Sequence, residues 1–340
     1  MRVGIAAPLS IAAVTGGIRT QVTETVRELR NLGVEVDFIS LEQTRFQYDL
    51  VHVFSAGPDT LGIAKQVKDT GTKLVVSPVF FSTRSARAIT LSLKAEKLLG
   101  FLGSGIRSDF GIKAQICSWA DLLLPNTRPE LELVRDGLGI DAGKITVVPN
   151  GVETRFANAD ATLFMETYFK RDVVLFAGQA GALRKNVKLL LEAAPRIEAQ
   201  IVIIGDFYDN DYSRECLQLV QKLNNVILIE TQDHDSPLLE SAYAAAKVFV
   251  LPSTFETPGI AAMEAALAGA QVVITERGGT RDYFANFVEY INPNSVDELI
   301  GSINKSIEKK NSSALKNHIL ENYTWPKVAA LTLASYKKLS

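Results

Sequence analysis

Residues 248–283 read VFVLPSTFETPGIAAMEAALAGAQVVITERGGTRDY. The apolar run 248–251 has the composition of a strand buried on both faces, and Pro252 ends it. A short loop carries Glu256. Pro258 and Gly259 then open a helix that Gly269 closes, the usual placement of proline at a helix start and glycine after its end. The apolar run 272–275 begins the next strand. The segment is therefore a strand, a loop, a helix and a second strand. The amides of Gly259 and Ile260 stand at a helix N-terminus, which attracts phosphate. Glu256 on the loop and Glu264 on the helix can both border a phosphate-bearing ligand.

The same alternation runs outward in both directions. Toward the N-terminus, strand-like runs cover 2–6, 34–39, 50–54, 73–77, 121–124 and 145–148. The first is followed by a helical period over 17–32 that Gly33 stops. Pro149-Asn150-Gly151 breaks the pattern. Further runs then cover 173–177, 201–204, 226–229, 248–251, 272–275 and 288–291, with helical segments such as 186–194 and 237–246 between them. Alternating β and α elements predict open parallel sheets. The expected fold class is α/β: two Rossmann-like parallel-sheet domains facing a central cleft, with ligands outside the carboxyl ends of the strands. The expected boundaries are 1–150, 151–322 and a last segment, 323–340, whose helix crosses back to the first domain.

The length of 340 residues suits two domains. A net charge of −2 gives no sign of a nucleic-acid partner, and 22% charged with 47% hydrophobic residues is ordinary globular composition. Two cysteines, Cys117 and Cys216, rule out a disulfide framework and fit a reducing compartment. The N-terminus has no signal-peptide pattern, and no apolar run approaches the roughly 18 residues of a spanning helix. A cytoplasmic protein is expected.

Three further features bear on chemistry. Arg184 and Lys185 stand where a strand at 173–177 gives way to the next helix. Cations there oppose the helix dipole unless an anion is bound. Gly16-Gly17, after Thr15, links the first strand to the first helix, where glycines let backbone approach phosphate. The segment 83–119 is basic and amphipathic, with Arg84, Arg87, Lys94, Lys97, Arg107 and Lys113 among Leu91, Leu93, Leu98 and others. Packing on the first domain, lining an acceptor entrance, is the favoured reading. Peripheral contact with an anionic membrane at its inner face is the alternative. Asp209-Asn210-Asp211 has the composition of a metal-binding triplet, but its polar loop reads as a solvated turn. With three histidines and no cysteine–histidine cluster, no metal site is indicated.

Taken together, the stretch 248–283 resembles the donor-binding signature of retaining glycosyltransferases of family 4, which have the GT-B fold. In that family two glutamates with seven residues between them flank a turn such as Pro258-Gly259-Ile260. The resemblance implies that Glu256 contacts the donor sugar and Glu264 the nucleotide ribose. It further implies that Arg184 and Lys185 hold the donor diphosphate and that Gly16-Gly17 is the loop approaching it. The stretch 147–152 is similar to the family's interdomain junction, and Tyr323-Thr324-Trp325 to its returning segment. The implied reaction moves a sugar from a UDP- or GDP-type nucleotide sugar to a hydroxyl of a glycan, a lipid-linked acceptor or a small molecule. No further cofactor is implied.

The pattern is departed from at two places. Gln179 stands where many members have Arg after the strand glycine. Residues 77–82, SPVFFS, lack the histidine that members commonly carry near the reacting sugar. His52 in the neighbouring strand is the substitute candidate for an acid–base role. The missing histidine keeps open a non-catalytic nucleotide-sugar-binding subunit, or a sugar phosphorylase. A dehydrogenase is disfavoured, because no Gly-x-Gly-x-x-Gly follows a predicted strand.

Overall fold

The computed structural model describes residues 1–12, 16–40, 47–100, 107–310 and 312–339, with no side chains described at 99 and 100. The chain divides into two compact units, Met1–Gly151 with Trp325–Ser340, and Val152–Thr324.

The first unit holds a five-stranded sheet of β1 (Arg2–Ala6), β2 (Glu35–Phe38), β3 (Leu50–Phe54), β4 (Lys73–Ser77) and β5 (Leu122–Leu123), in the order β2-β1-β3-β4-β5. Every neighbouring pair is parallel. β3 is buried along its whole length, which explains why it is apolar at every residue but His52. The helix Gly17–Asn31 places Val22, Val26 and Leu29 in the core, at the spacing of one helical face. Against the same core lie Trp325, Val328, Ala329 and Tyr336 of the helix Trp325–Tyr336. The expected strand at 145–148 does not form. Its residues lie beside β5 without forming a strand: an isolated bridge joins Ile145 to Leu123, and the amides of Thr146 and Val148 donate to the carbonyls of Leu123 and Pro125 at 2.9 Å each. β5 is itself two residues long, so it offers almost no edge for a sixth strand to extend.

The second unit holds a six-stranded parallel sheet of β6 (Val173–Ala177), β7 (Ile201–Ile204), β8 (Val226–Ile229), β9 (Ala246–Leu251), β10 (Gln271–Thr275) and β11 (Glu289–Ile291). Its order is β11-β10-β9-β6-β7-β8. Numbered within the unit, this is the doubly wound 3-2-1-4-5-6 order. Winding reverses between β6 and β9, so the carboxyl ends of these two strands bound the crevice where such sheets bind ligands. Their core is dense: β6 and β7 are buried at every residue. Each such Val, Leu or Ile contributes roughly 1.5–3 kcal/mol by leaving water.

In the basic segment, the helix Ala86–Gly100 buries Ile89, while Leu91 and Leu98 are 67% and 70% exposed. Arg84 lies over the ring of Phe110, and Lys113 pairs with Asp109 at 2.6 Å. Phe101, Leu102 and Ile106 lie outside the described residues. Among those described, no helix is long and apolar enough to cross a membrane.

Candidate donor site

The loop after β9 brings Glu256 to the reversal point, and the loop after β6 brings Arg184 and Lys185 to meet it. One oxygen, Glu256 Oε1, accepts from Lys185 Nζ at 2.7 Å, from Arg184 Nη1 at 3.2 Å and from Ser253 Oγ at 2.7 Å. The two loops are also tied through backbone. Thr254 N donates to the Arg184 carbonyl at 2.8 Å, and Asn186 Nδ2 donates to the carbonyls of Pro252 and Pro293.

Glu256 is only 5% exposed. Burial alone raises a carboxyl pKa, but Lys185 and Arg184 more than reverse this, and Glu256 is held below the ordinary value. A buried ion pair is a weak stabiliser compared with well-packed apolar residues, so its placement at the reversal point speaks for a use beyond folding.

The geometry corrects the expectation that Arg184 and Lys185 open a helix. They belong to a short 3-10 turn, Leu183–Lys185. Asn186, left-handed at φ 54°, separates this turn from the helix Val187–Ala193. The anion that balances the two cations is Glu256.

The turn 258–260 also differs in detail. The helix begins at Ile260, so Pro258 precedes it, and Gly259 is its N-cap with φ 71°. That left-handed conformation is the reason for glycine here. Gly259 is buried and Ile260 half-buried. Gly278 has a second reason. Its backbone pairs with Glu256, and a Cβ on it would fall 1.9 Å from the Glu256 carbonyl oxygen. The amide of Gly279 donates to that same carbonyl at 2.9 Å. The Gly-Gly pair thus seats the Glu256 loop from behind.

Glu264 lies in the helix Ile260–Leu267 and is 4% exposed. Its Oε2 accepts from the Tyr243 hydroxyl at 2.9 Å, and its Oε1 lies 3.5 Å from His234 Nδ1. Burial raises its pKa, and His234 and Tyr243 only partly offset the rise. His234 Nε2 meets Glu153 Oε2 at 3.0 Å. Arg155 closes the group, bonding Glu153 at 2.9 Å and Glu240 at 2.8 Å. Glu153, His234 and Asp235 are close enough together for a cation, but the guanidinium of Arg155 already lies among them, 3.7 Å from Asp235. A divalent ion would have to displace it. Sequence reasoning missed Ser253, Tyr243, His234, Glu153 and Arg155. The scarcity of histidine, three in 340 residues, was the one available signal for His234.

Asp209 and Asp211 both pair with Arg214 at 2.6 Å and are almost fully exposed, while Asn210 caps the helix Asp211–Val220. The triplet is a helix start.

In the first unit, Gly16 is the N-cap of the helix Gly17–Asn31 after β1, and its neighbour Thr15 lies outside the described residues. His52 is 1% exposed on β3. Its Nδ1 lies 2.7 Å from the Tyr336 hydroxyl and its Nε2 2.9 Å from Ser77 Oγ. Burial pushes its pKa down to about 3, so it is a neutral tie between two strands and the last helix. Beside it is a cavity of about 10 Å³ lined by Gln21, Ser77 and Asn150 among others, room for one water at most. The segment 77–82 is anchored by Glu130, which accepts from the amides of Phe80 and Asn126 at 2.7 Å each and is pushed up to about 7 by burial.

Residues 166–323 match the family model described as glycosyl transferases group 1, and residues 41–156 match that of glycosyltransferase family 4. The chain belongs to this family of glycosyltransferases. Two of its relatives are distant in sequence. An uncharacterized glycosyltransferase of Methanocaldococcus jannaschii is 26% identical over 214 residues, which are 57% of this chain and 54% of that protein. The chain thus spans about half the length of that relative. A D-inositol 3-phosphate glycosyltransferase of Paenarthrobacter aurescens is 24% identical over 91% of this chain and 78% of its own length. Among solved structures, Anabaena HepE in complex with UDP matches 99% of this chain and 100% of its own, with a TM-score of 0.75 at 16% identity. HepE has also been solved with UDP-glucose. The fold is accordingly that of the GT-B glycosyltransferases, two parallel-sheet α/β units.

Proposed function

We propose that the second unit binds a nucleoside-diphosphate sugar and that the chain transfers the sugar, with retention, to an acceptor hydroxyl. The observation that carries this reading is the convergence of Arg184, Lys185 and Glu256 at the carboxyl ends of β6 and β9. Breaking the bond between sugar and diphosphate leaves a growing negative charge. Two cations fixed beforehand stabilise that charge without reorganising. Glu256, already held by them, orients the sugar hydroxyls, and orientation lowers the barrier further. Glu264 accepts from the ribose hydroxyls. The UDP complexes of HepE favour a uridine nucleotide over a guanosine one.

The second reading, a nucleotide-sugar-binding subunit without chemistry, draws on one observation. His52 is buried and neutral, and 77–82 supplies no histidine. Turnover of a panel of UDP- and GDP-sugars, with and without simple sugar acceptors, decides between them. Release of nucleoside diphosphate from at least one donor supports the transferase. Tight donor binding with no release from any donor supports the binding subunit.

A further inference from the structure

We propose that His234 is the positioning residue of the nucleotide-binding carboxylate: shared as a cation between Glu264 and Glu153, it fixes Glu264 for the ribose, and donor affinity falls when it loses its proton. This rests on the reading of Glu264 given above.

His234 presents Nε2 to Glu153 at 3.0 Å and Nδ1 to Glu264 at 3.5 Å. A carboxylate only accepts, and a neutral imidazole has a single N–H. The Glu153 contact is a hydrogen bond, and the longer Glu264 contact is an ion pair that exists only while the ring is an imidazolium. A neutral ring keeps its one N–H on Glu153, so deprotonation removes the charge facing Glu264, which is left with Tyr243 alone.

The ring is itself well held. The backbone carbonyl of His234 accepts from Arg155 Nη2, and its ring stands T-shaped to that of Phe156 with centroids 5.8 Å apart. The groups facing it come from four places. Glu153 and Arg155 lie at and just before the turn Thr154–Asn158, Asp235 is its own neighbour, Glu240 and Tyr243 come from the helix Pro237–Ala245, and Glu264 from the helix Ile260–Leu267. Three carboxylates close to the ring, Glu153, Asp235 and Glu264, against the one guanidinium of Arg155 favour the charged ring. The hydrogen bond to Glu153 is the largest cause holding its pKa above the ordinary 6.5, with burial opposing.

The effect on binding follows from orientation. With Tyr243 on Oε2 and His234 on Oε1, the Glu264 carboxylate is fixed before the nucleotide arrives, and a preoriented acceptor loses less freedom on binding. Without the imidazolium it is less oriented, held by Tyr243 alone.

The test is calorimetric titration of UDP and GDP between pH 7.0 and 9.5, where the terminal phosphate, with a second pKa of about 6, stays ionised. The wild type, His234→Gln and His234→Asn are compared, with donor KM and kcat measured alongside. His234 is about two-fifths exposed, so both substitutions leave the fold intact, as thermal unfolding checks. Wild-type affinity should fall about five- to tenfold across the range. Both variants should show that weakened affinity already at pH 7 and a flat profile above it, with KM raised and kcat within about twofold. A flat wild-type profile, or variants with wild-type affinity and pH dependence, overturns the proposal. Glu264→Ala separates the two levels. If it leaves nucleotide affinity unchanged, the assignment of Glu264 itself fails; if it abolishes affinity while the His234 variants match the wild type, only the role of His234 fails.

Discussion

Glu256 and Glu264 are equally buried carboxylates with seven residues between them, and their surroundings push them in opposite directions. Around Glu256 two full cations and a hydroxyl converge on one oxygen, and its pKa is lowered. Around Glu264 stand a phenol and a shared imidazole, and its pKa is raised. Burial works against both charges; the number and strength of the compensating donors decides which side wins. On the proposed reading, the loop glutamate stays an anion beside the cations where leaving-group charge grows, and the helix glutamate accepts from the neutral hydroxyls of the ribose.

The largest effect that sharpens this contrast is on turnover. Lys185→Ala or Arg184→Ala should lower kcat by on the order of 10²–10³, as loss of a fixed electrostatic group does. Glu264→Ala should instead weaken nucleoside-diphosphate binding by about tenfold or more, with a smaller change in kcat, as calorimetry and steady-state kinetics would separate. Equal kinetic profiles for the two kinds of variant would erase the distinction.

Stability should split the glutamates as well. The lowered pKa of Glu256 contributes stability above its unfolded value that is lost as pH falls through the folded one. For Glu264 the sign is reversed: the raised pKa favours the fold at low pH, and that contribution is lost as pH rises through the folded value. At about pH 7, Glu256→Gln should therefore lower the unfolding temperature, and Glu264→Gln should leave it unchanged or raise it. Tyr243→Phe should cost roughly 1 kcal/mol of stability, the net value of a typical hydrogen bond, with a few-fold loss of nucleotide affinity. Arg214→Ala, beside the exposed Asp209 and Asp211, should change stability by no more than about 0.5 kcal/mol and leave turnover alone.

How far these two regions could be read in advance differs for a physical reason. The strands at 2–6, 50–54, 173–177 and 201–204 appear where their apolar runs place them, because burial on both faces leaves a signature that is nearly continuous, interrupted only by Arg2 and His52. The run 145–148 carries similar residues yet forms only a bridge and two backbone hydrogen bonds beside the two-residue β5, since a full strand needs a neighbour of matching length that the local sequence does not show. Glu256 and its cations stand out because charged residues at strand ends are conspicuous. The Glu264 network does not, because Glu153, His234 and Tyr243 lie far apart in sequence and each looks ordinary alone. The cation pair was legible as a pair, but its partner was not: a 3-10 turn and a left-handed Asn186 turn it toward Glu256.

On the proposed reading, the cations of the second unit bind the diphosphate. Titration of UDP and GDP into the wild type and into the double variant Arg184→Ala/Lys185→Ala tests it most directly. The account predicts that the wild type binds one of the two nucleotides and that the folded double variant binds it at least about tenfold more weakly. Equal affinity in a folded double variant would contradict it.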